Sequence, residues 1–481
     1  MVEALAVTTI AQLGQRRAMP NSALVIGGGI AGIQTALDIA DAGFKVYLVE
    51  KEPSVGGRMS QLDKTFPTLD CSACILTPKM VDVSRHPNIE LLTYSEVTAV
   101  QGAAGGFHVT VKKKPRYVDI SKCTGCGSCA EACRFKGKVV DPFNAGMGKR
   151  SAIYVPFPQA VPLKYTIDPT QCIFLTRGVC GKAFLCKDAC KADAIDFNQK
   201  EEFVELNVGA IVAATGFDPF NAALKPELGY GIYPNVITSL QFERLSSASG
   251  PTAGKILLLP HHHEASTIST STGSPSVMMR QNGKEPKEVA FIQCVGSRDQ
   301  TTGNLYCSRV CCMITAKHAH LVKDKIHDAK VTVFYADIRA FGKGFEEFYD
   351  RVREEGVNYR RGYVSEVFKR GEKLVIRSED TLISKPIETT ADLVVLSVGL
   401  VPRPETNAVA NLLGLTKSAD GFIAEAHPKM RPVDTAVDGV YLAGVIQGPK
   451  DIPDTVAHAK AAAAAAIVKL RSNQLSVNSK Q

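Results

Sequence analysis

The sequence has no stretch near the roughly 18–20 uninterrupted apolar residues that a membrane helix requires. Its most alanine-rich segment, Ala459–Leu470, is broken by Lys460 and Lys469 and reads as a packed helix. No basic run is longer than Lys112-Lys113-Lys114, so a net charge of +8 over 481 residues gives little support to nucleic-acid binding. A mildly basic surface suits an acidic redox partner better. A secretory signal is not expected either. The first 21 residues carry Glu3 early and place Arg16 and Arg17 after the apolar part, the reverse of a signal's order. A short leader over 1–21 and a cytoplasmic location are expected. No paired carboxylates and no Ser/His/Asp arrangement stand out, so no catalytic acid or base is assigned.

With 45% hydrophobic and 22% charged residues the chain is an ordinary globular one, and its length suggests about three domains. Its fourteen cysteines are grouped. Cys123, Cys126, Cys129 and Cys133 form C-x2-C-x2-C-x3-C; Cys172, Cys180, Cys186 and Cys190 form a looser quartet; Cys294, Cys307, Cys311 and Cys312 form a third; Cys71 and Cys74 remain as C-x2-C. Disulfide-dense chains are small secreted domains, whereas a chain this long buries ample core without staples. Thiolates at these spacings hold iron–sulfur clusters, and the first run matches the bacterial ferredoxin pattern.

A dinucleotide site opens the chain. The apolar run from Ala23 leads into Gly27-Gly28-Gly29-Ile30-Ala31-Gly32, then a helical stretch to Ala42, Gly43, and the strand Lys45–Val49 ending at Glu50. Gly27 permits the tight turn, Gly29 lets a pyrophosphate approach the backbone, and Gly32 lets helix and strand pack closely. The helix end offers N–H groups and positive dipole to phosphate, so Ile30 and Ala31 join the candidates. Glu50, eighteen residues after Gly32, can accept from ribose hydroxyls, with Lys51 beside it. Val55-Gly56-Gly57-Arg58, Val212-Ala-Ala-Thr215-Gly216 and Val440-Tyr-Leu-Ala-Gly444 look like later parts of an FAD site. Gly57, Arg58, Thr215, Gly216 and Gly444 are therefore candidate flavin contacts, and FAD is favoured over NAD.

Between Arg116 and Phe203 lie eight cysteines and several X-Pro breaks, flanked by flavin-domain segments, which reads as an insertion. In two-cluster ferredoxins the fourth cysteine of each run ligates the other cluster. One cluster is then expected on Cys123, Cys126, Cys129 and Cys190, the other on Cys172, Cys180, Cys186 and Cys133. The second quartet is stretched, and zinc stays open as its alternative. A Ser/Thr/Gly-rich run with His261, His262 and His263 follows and reads as a solvated linker. Glu288–Ile292, Ala316–Lys325 and Lys330–Tyr335 then read as strand, helix and strand. No glycine fingerprint accompanies them. The third quartet stands in its place, as cluster ligands or as buried structural thiols. Arg298, Arg309, Lys317 and His318 lie near it, either supplying positive charge or forming a solvated helix face.

Five stretches make the chain resemble the A subunit of heterodisulfide reductases and its relatives, including the A subunit of the quinone-interacting membrane-bound oxidoreductase. They are Phe66–Lys79, Ile153–Pro162, Phe291–Asp299, Cys307–Cys312 and Gly448–Ile452, within a likeness spanning Ser22 to Leu470. The resemblance implies an α/β fold: a thioredoxin-reductase-like flavoprotein with two dinucleotide-binding domains and an inserted α+β ferredoxin-like domain. It implies FAD and three [4Fe–4S] clusters, two in the insert and one on the third quartet. Longer members carry further N- and C-terminal domains, and in some members the flavin bifurcates electron pairs. The acid that often follows the C-terminal glycine is replaced, as Gly444-Val445. Gln447–Ile452, with Asp451 and Ile452, is expected to present helix-terminal N–H groups instead.

The expected domains are a leader at 1–21, an FAD domain at 22–115, 203–260 and 386–481, a ferredoxin-like insert at 116–202, a linker at 261–285, and a second Rossmann-like domain at 286–385. The expected function is an electron-transfer subunit joining FAD to [4Fe–4S] clusters. Its partners would be other subunits of such a complex and ferredoxin or another redox protein, around a homodimeric core. Two rivals remain: an NAD(P)H-dependent reductase resembling the glutamate synthase small subunit, and an assembly scaffold with structural clusters. Cys71 and Cys74 are expected as free thiols, with a cluster shared with a partner chain as the alternative.

Overall fold

The computed structural model describes residues 20–181, 184–258 and 283–478. The leader residues 1–19 and the histidine triplet lie outside them. The first sheet has five parallel strands in the order Val440–Leu442, Ala210–Ala213, Ser22–Ile26, Lys45–Glu50, Ile89–Thr93. Ser22–Ile26 and Ala210–Ala213 are buried throughout, as parallel strands covered on both faces must be. One face carries the helices Ile30–Asp41 and Ile452–Asn478. These approach closely because Ala459, Ala462, Ala463 and Ala466 are fully buried between them and the sheet. The other face is covered by the antiparallel strands Ser95–Ala103, Gly106–Lys113 and Glu202–Val208, whose Val109, Val111 and Val208 meet Leu24 and Ile211.

The insert leaves and rejoins this antiparallel sheet at one place, since Lys113 and Glu202 are register partners. It is built from short pieces around a small core in which Cys123, Cys129 and Cys172 pack with Val118, Ile153 and Ile195. Arg244 ties it down. The guanidinium is buried, donates to Asn144 Oδ1 at 3.0 Å in the insert and to Gln61 O at 3.0 Å outside it, and lies 4.9 Å from the Phe143 ring. Charged hydrogen bonds are worth about 1.5–3 kcal/mol each. Arg244→Met is therefore expected to accelerate proteolytic cleavage within the insert, measured by limited proteolysis, while leaving the first sheet protected.

The second sheet is also parallel, in the order Val236–Thr238, Leu393–Val398, Glu288–Val295, Lys330–Tyr335, Asn358–Arg361. The expected strand–helix–strand unit is present as Glu288–Val295, Cys311–Lys325 and Lys330–Tyr335. The boundaries differ from the expectation of 286–385, because Val236–Thr238 and Leu393–Val398 belong to this sheet and not to the first. Leu393–Val398 is buried at every position. Such a strand has no polar face, so periodicity cannot tell which sheet it joins.

Candidate functional site

A cavity of about 470 Å³ lies where the first sheet, the insert and the second sheet meet. Of the expected flavin contacts, Gly27, Gly29, Ile30, Ala31, Glu50, Gly57, Arg58, Thr215, Gly216, Asp451 and Ile452 line it. Gly32, Lys51 and Gly444 do not. Gly32 lies behind the turn: a Cβ there would fall 1.8 Å from Gly27 O. Lys51 is engaged by Glu405. Gly444 is packed against Ala31, and its N–H donates to His458 Nδ1 at 3.0 Å. Gly29 and Gly57 face each other, since a Cβ on Gly57 would lie 2.9 Å from Gly29 Cα. Two bare backbones therefore border the cavity where a pyrophosphate needs close approach.

Glu50 is buried, and both its oxygens already accept from backbone. Gly28 N–H donates at 2.6 Å and Glu52 N–H at 2.8 Å. Burial raises its carboxyl above the usual range despite these bonds. Arg58 is held by Asp218. Asp451 accepts from the Asp454 N–H at 2.8 Å at the start of the C-terminal helix, and burial raises its carboxyl too.

Sequence reasoning missed two sets of wall residues. One comes from the insert: Phe143, Arg150, Tyr154 and Phe157 line the cavity. Arg150 pairs with Asp168 at 2.7 Å and stacks 3.6 Å from the Tyr154 ring. Val55 N–H donates to Val161 O at 3.0 Å, so the Ile153–Pro162 string is pinned beside the second glycine pair. The other is Glu243, whose carboxylate is buried with Lys317 and His318. Lys317 Nζ and His318 Nε2 both bond Glu243 Oε1, the latter at 2.6 Å. Lys317 Nζ also donates to Lys64 O at 2.7 Å, and Asp63 N–H donates to Glu243 Oε2 at 3.0 Å. Lys317 and His318 are thus no solvated helix face. Burial raises Glu243, but the Lys317 ammonium and the hydrogen bonds from His318 and the Asp63 N–H outweigh it and hold the carboxyl at about 2, whereas burial lowers His318. No local pattern announces Glu243, because its partners come from distant segments.

The cysteines fall into three neighbourhoods. Burial pushes Cys129 up to about 12, with Cys123, Cys190 and Cys126 adding negative charge nearby. Burial pushes Cys186 up to about 11, with Cys133, Cys172 and Cys180 around it. Cys311 is raised by burial beside Cys294, Cys312 and Cys307. Cys311 and Cys312 open the helix Cys311–Lys325, and Cys294 lies near the end of the strand Glu288–Val295. The backbone around this third set is strained: Cys294, Arg298 and Arg309 have φ of 59°, 57° and 64°, a conformation costing about 1–3 kcal/mol per residue. Gln293 Oε1 lies 3.5 Å from Cys312 Sγ, while its buried Nε2 has no partner among the described residues. Among the described residues, no group of three or more His, Cys, Asp or Glu side chains is arranged to hold a metal ion. Arg298 and Arg309 are paired with Asp337 and Asp454. None of the fourteen cysteines is in a disulfide, and Cys71 and Cys74 are exposed.

Comparison with known proteins decides the relationship. Over 459 residues the chain is 53% identical to the A subunit of the H(2):CoB-CoM heterodisulfide,ferredoxin reductase of Methanothermobacter thermautotrophicus, covering 95% of this chain and 65% of that protein. Over nearly its whole length the chain is similar to a heterodisulfide reductase A subunit. The iron-sulfur A subunit of the CoB--CoM heterodisulfide reductase of Methanocaldococcus jannaschii is 52% identical, with the same shares covered. The chain thus spans just under two thirds of these relatives' length. Family models for FAD dependent oxidoreductases and for 4Fe-4S binding domains match residues 23–71 and 116–136. Thioredoxin reductase of T. acidophilum aligns at 13% identity and a TM-score of 0.49, covering 94% of this chain and 98% of that one.

Proposed function

We propose that the chain is an oxidoreductase, the electron-transfer flavoprotein core of a heterodisulfide-reductase-like complex. It would carry one FAD in the central cavity and three [4Fe–4S] clusters on the three cysteine quartets. When bound, FAD supplies the change between two-electron and one-electron transfer, and the clusters pass single electrons. The observation that carries this reading is the make-up of the cavity wall. Phe143, Arg150 and Tyr154 come from the insert that holds two quartets, and Ile314 and Lys317 come from the helix begun by Cys311 and Cys312.

The residues present fit these groups. Gly27, Gly29 and Gly57 would admit the pyrophosphate, and the start of Ile30–Asp41 would face it with N–H groups. The remaining lone pairs of Glu50 would accept from ribose hydroxyls. The Lys317 ammonium, fixed by Glu243, would place positive charge against the flavin. Four cysteines gathered in each neighbourhood are the donor set an iron–sulfur cluster takes. The unpaired Gln293 Nε2 would donate toward a sulfur of the third cluster.

Pyridine-nucleotide reduction is disfavoured by the turn after Glu288–Val295. A Cβ on Gly296 would fall 2.1 Å from the Phe220 ring, so the turn is packed, and the cysteines gather beyond it. By their names the relatives act on CoB-CoM heterodisulfide, some of them with ferredoxin. Other subunits of such a complex and a ferredoxin are accordingly the proposed partners, and the cytoplasm the proposed location. No helix of the described residues is long and apolar enough to cross a membrane.

Anaerobic purification with flavin, iron and sulfide quantitation tests the reading. One FAD and about twelve irons are expected, four for each cubane, with three reducible centres in an EPR-monitored titration. Cys311→Ser should remove about four irons and leave the ferredoxin-like signals intact. Clusters that stay redox-silent, or flavin bleached rapidly by NADH alone, would overturn it.

A further inference from the structure

Cys71 and Cys74 belong to none of the three quartets, yet their setting is well defined. The helix Ser72–Arg85 turns Ser72, Leu76, Met80 and Val83 inward, all buried, and leaves Cys71, Cys74 and Ile75 outward. Its first turn is anchored. Ser72 Oγ donates to Met59 O at 2.8 Å and Ser72 N–H donates to Asp63 O at 2.9 Å. The two sulfurs are thereby presented to solvent on a fixed backbone. Cys71 caps the helix, and the Cys74 N–H points at Cys71 Sγ at 3.3 Å. Across the ribbon Lys64–Thr65/Asp70–Cys71, Cys71 is the register partner of Lys64, whose carbonyl accepts from Lys317 at the cavity wall.

We propose that Cys71 and Cys74 form a redox-active dithiol that exchanges with low-molecular-weight disulfides. Cys71 is the attacking sulfur, because negative charge there meets the helix N-terminus and a backbone N–H. The thiolate attacks one sulfur of the incoming disulfide, that S–S bond breaks, and the first small thiolate leaves. Cys74 then attacks Cys71 Sγ, expelling the second small thiolate and closing the Cys71–Cys74 bond. The protein loses two electrons, the small disulfide gains them, and the two cysteine protons end on the two released thiols. Excess small thiol reverses both steps. Contact with Cys71 raises the Cys74 thiol, which suits a resolving sulfur that stays protonated until the mixed disulfide forms.

Trypsin isolates both cysteines in the peptide Thr65–Lys79, which has no others. The holoprotein is exposed anaerobically to oxidised glutathione, alkylated, and its peptides mapped by mass. The wild type should yield this peptide unalkylated and lighter by two hydrogens. Cys74→Ser should hold a glutathione adduct on Cys71. Cys71→Ser should form an adduct about tenfold more slowly, and both variants should keep wild-type iron and flavin contents. Full alkylation of Cys71 and Cys74 in the wild type after oxidised glutathione would overturn the proposal. Loss of about four irons from either variant would do so as well, by making the pair cluster ligands.

Discussion

Replacing Glu243 with alanine is expected to cost about 3–5 kcal/mol of stability, because it strands the buried Lys317 ammonium and leaves the buried His318 ring without its partner. Lys317 and Glu243 side chains are each 1% exposed and His318 is fully buried. Without the carboxylate, Lys317 keeps only the Lys64 carbonyl, and the Asp63 N–H loses its acceptor. A loss of this size is a large part of a typical stability of about 5–15 kcal/mol. Urea unfolding followed by circular dichroism measures it. Lys317→Met in the Glu243→Gln background should recover part of the loss, since the double variant leaves no unpaired charge. An alanine variant within about 1 kcal/mol of wild type would mean that the three groups do not share one proton and charge balance.

The same knot sets an acid limit. Glu243 titrates below its unfolded value, so its contribution is present above roughly pH 4.5 and lost as pH falls toward about 2. His318 is also depressed, by burial. The unfolded chain then takes up a proton below about pH 6.5 that the folded chain refuses, and stability falls there as well. Both groups act in the same direction. Wild-type stability should decline in two stages on acidification, with the stage nearer neutrality smaller in His318→Phe and not abolished, because burial lowers His458 to about 4 as well.

The parts legible in the sequence are local. Gly27 to Gly32, Glu50 and the cysteine runs are each contained within a few dozen residues, where spacing itself fixes geometry. The crossed grouping of Cys133 and Cys190 is also legible, because it follows a rule of the ferredoxin pattern. The illegible parts are long-range. Glu243 meets Lys317 across 74 positions, and Arg244 meets Gln61 across 183. Val236–Thr238 pairs with Val394–Leu396 in the second sheet, a choice between two parallel sheets that apolar strands do not encode. The insert is recognisable as an insert, yet nothing in its composition says that Arg150 and Tyr154 wall the central cavity. That depends on the Ile153–Pro162 string folding back onto Ser54 and Val55.

The largest expected effect on the cofactor comes from Gly32→Ala. The added Cβ would sit 1.8 Å from Gly27 O and 3.0 Å from Gly27 C. These are backbone atoms of the turn, so no side chain can move aside. The helix Ile30–Asp41 must shift away from Ser22–Ile26, carrying with it the N–H groups meant for the pyrophosphate. Overpacking of this kind costs about 1–3 kcal/mol, and if it falls wholly on flavin affinity that is a weakening of roughly 5- to 150-fold. Gly43→Ala separates this from general destabilisation. Gly43 has φ of +91° but open space around its Cβ direction, so strain of about 1–2 kcal/mol should fall on the chain turn and not on the site. Flavin content after gel filtration reads both variants: Gly32→Ala should emerge nearly colourless in flavin absorbance with its ferredoxin-like clusters present, and Gly43→Ala yellow-brown like the wild type. Full flavin in Gly32→Ala would mean that the turn from Gly27 to Gly32 does not hold the dinucleotide, and the cavity would need another occupant.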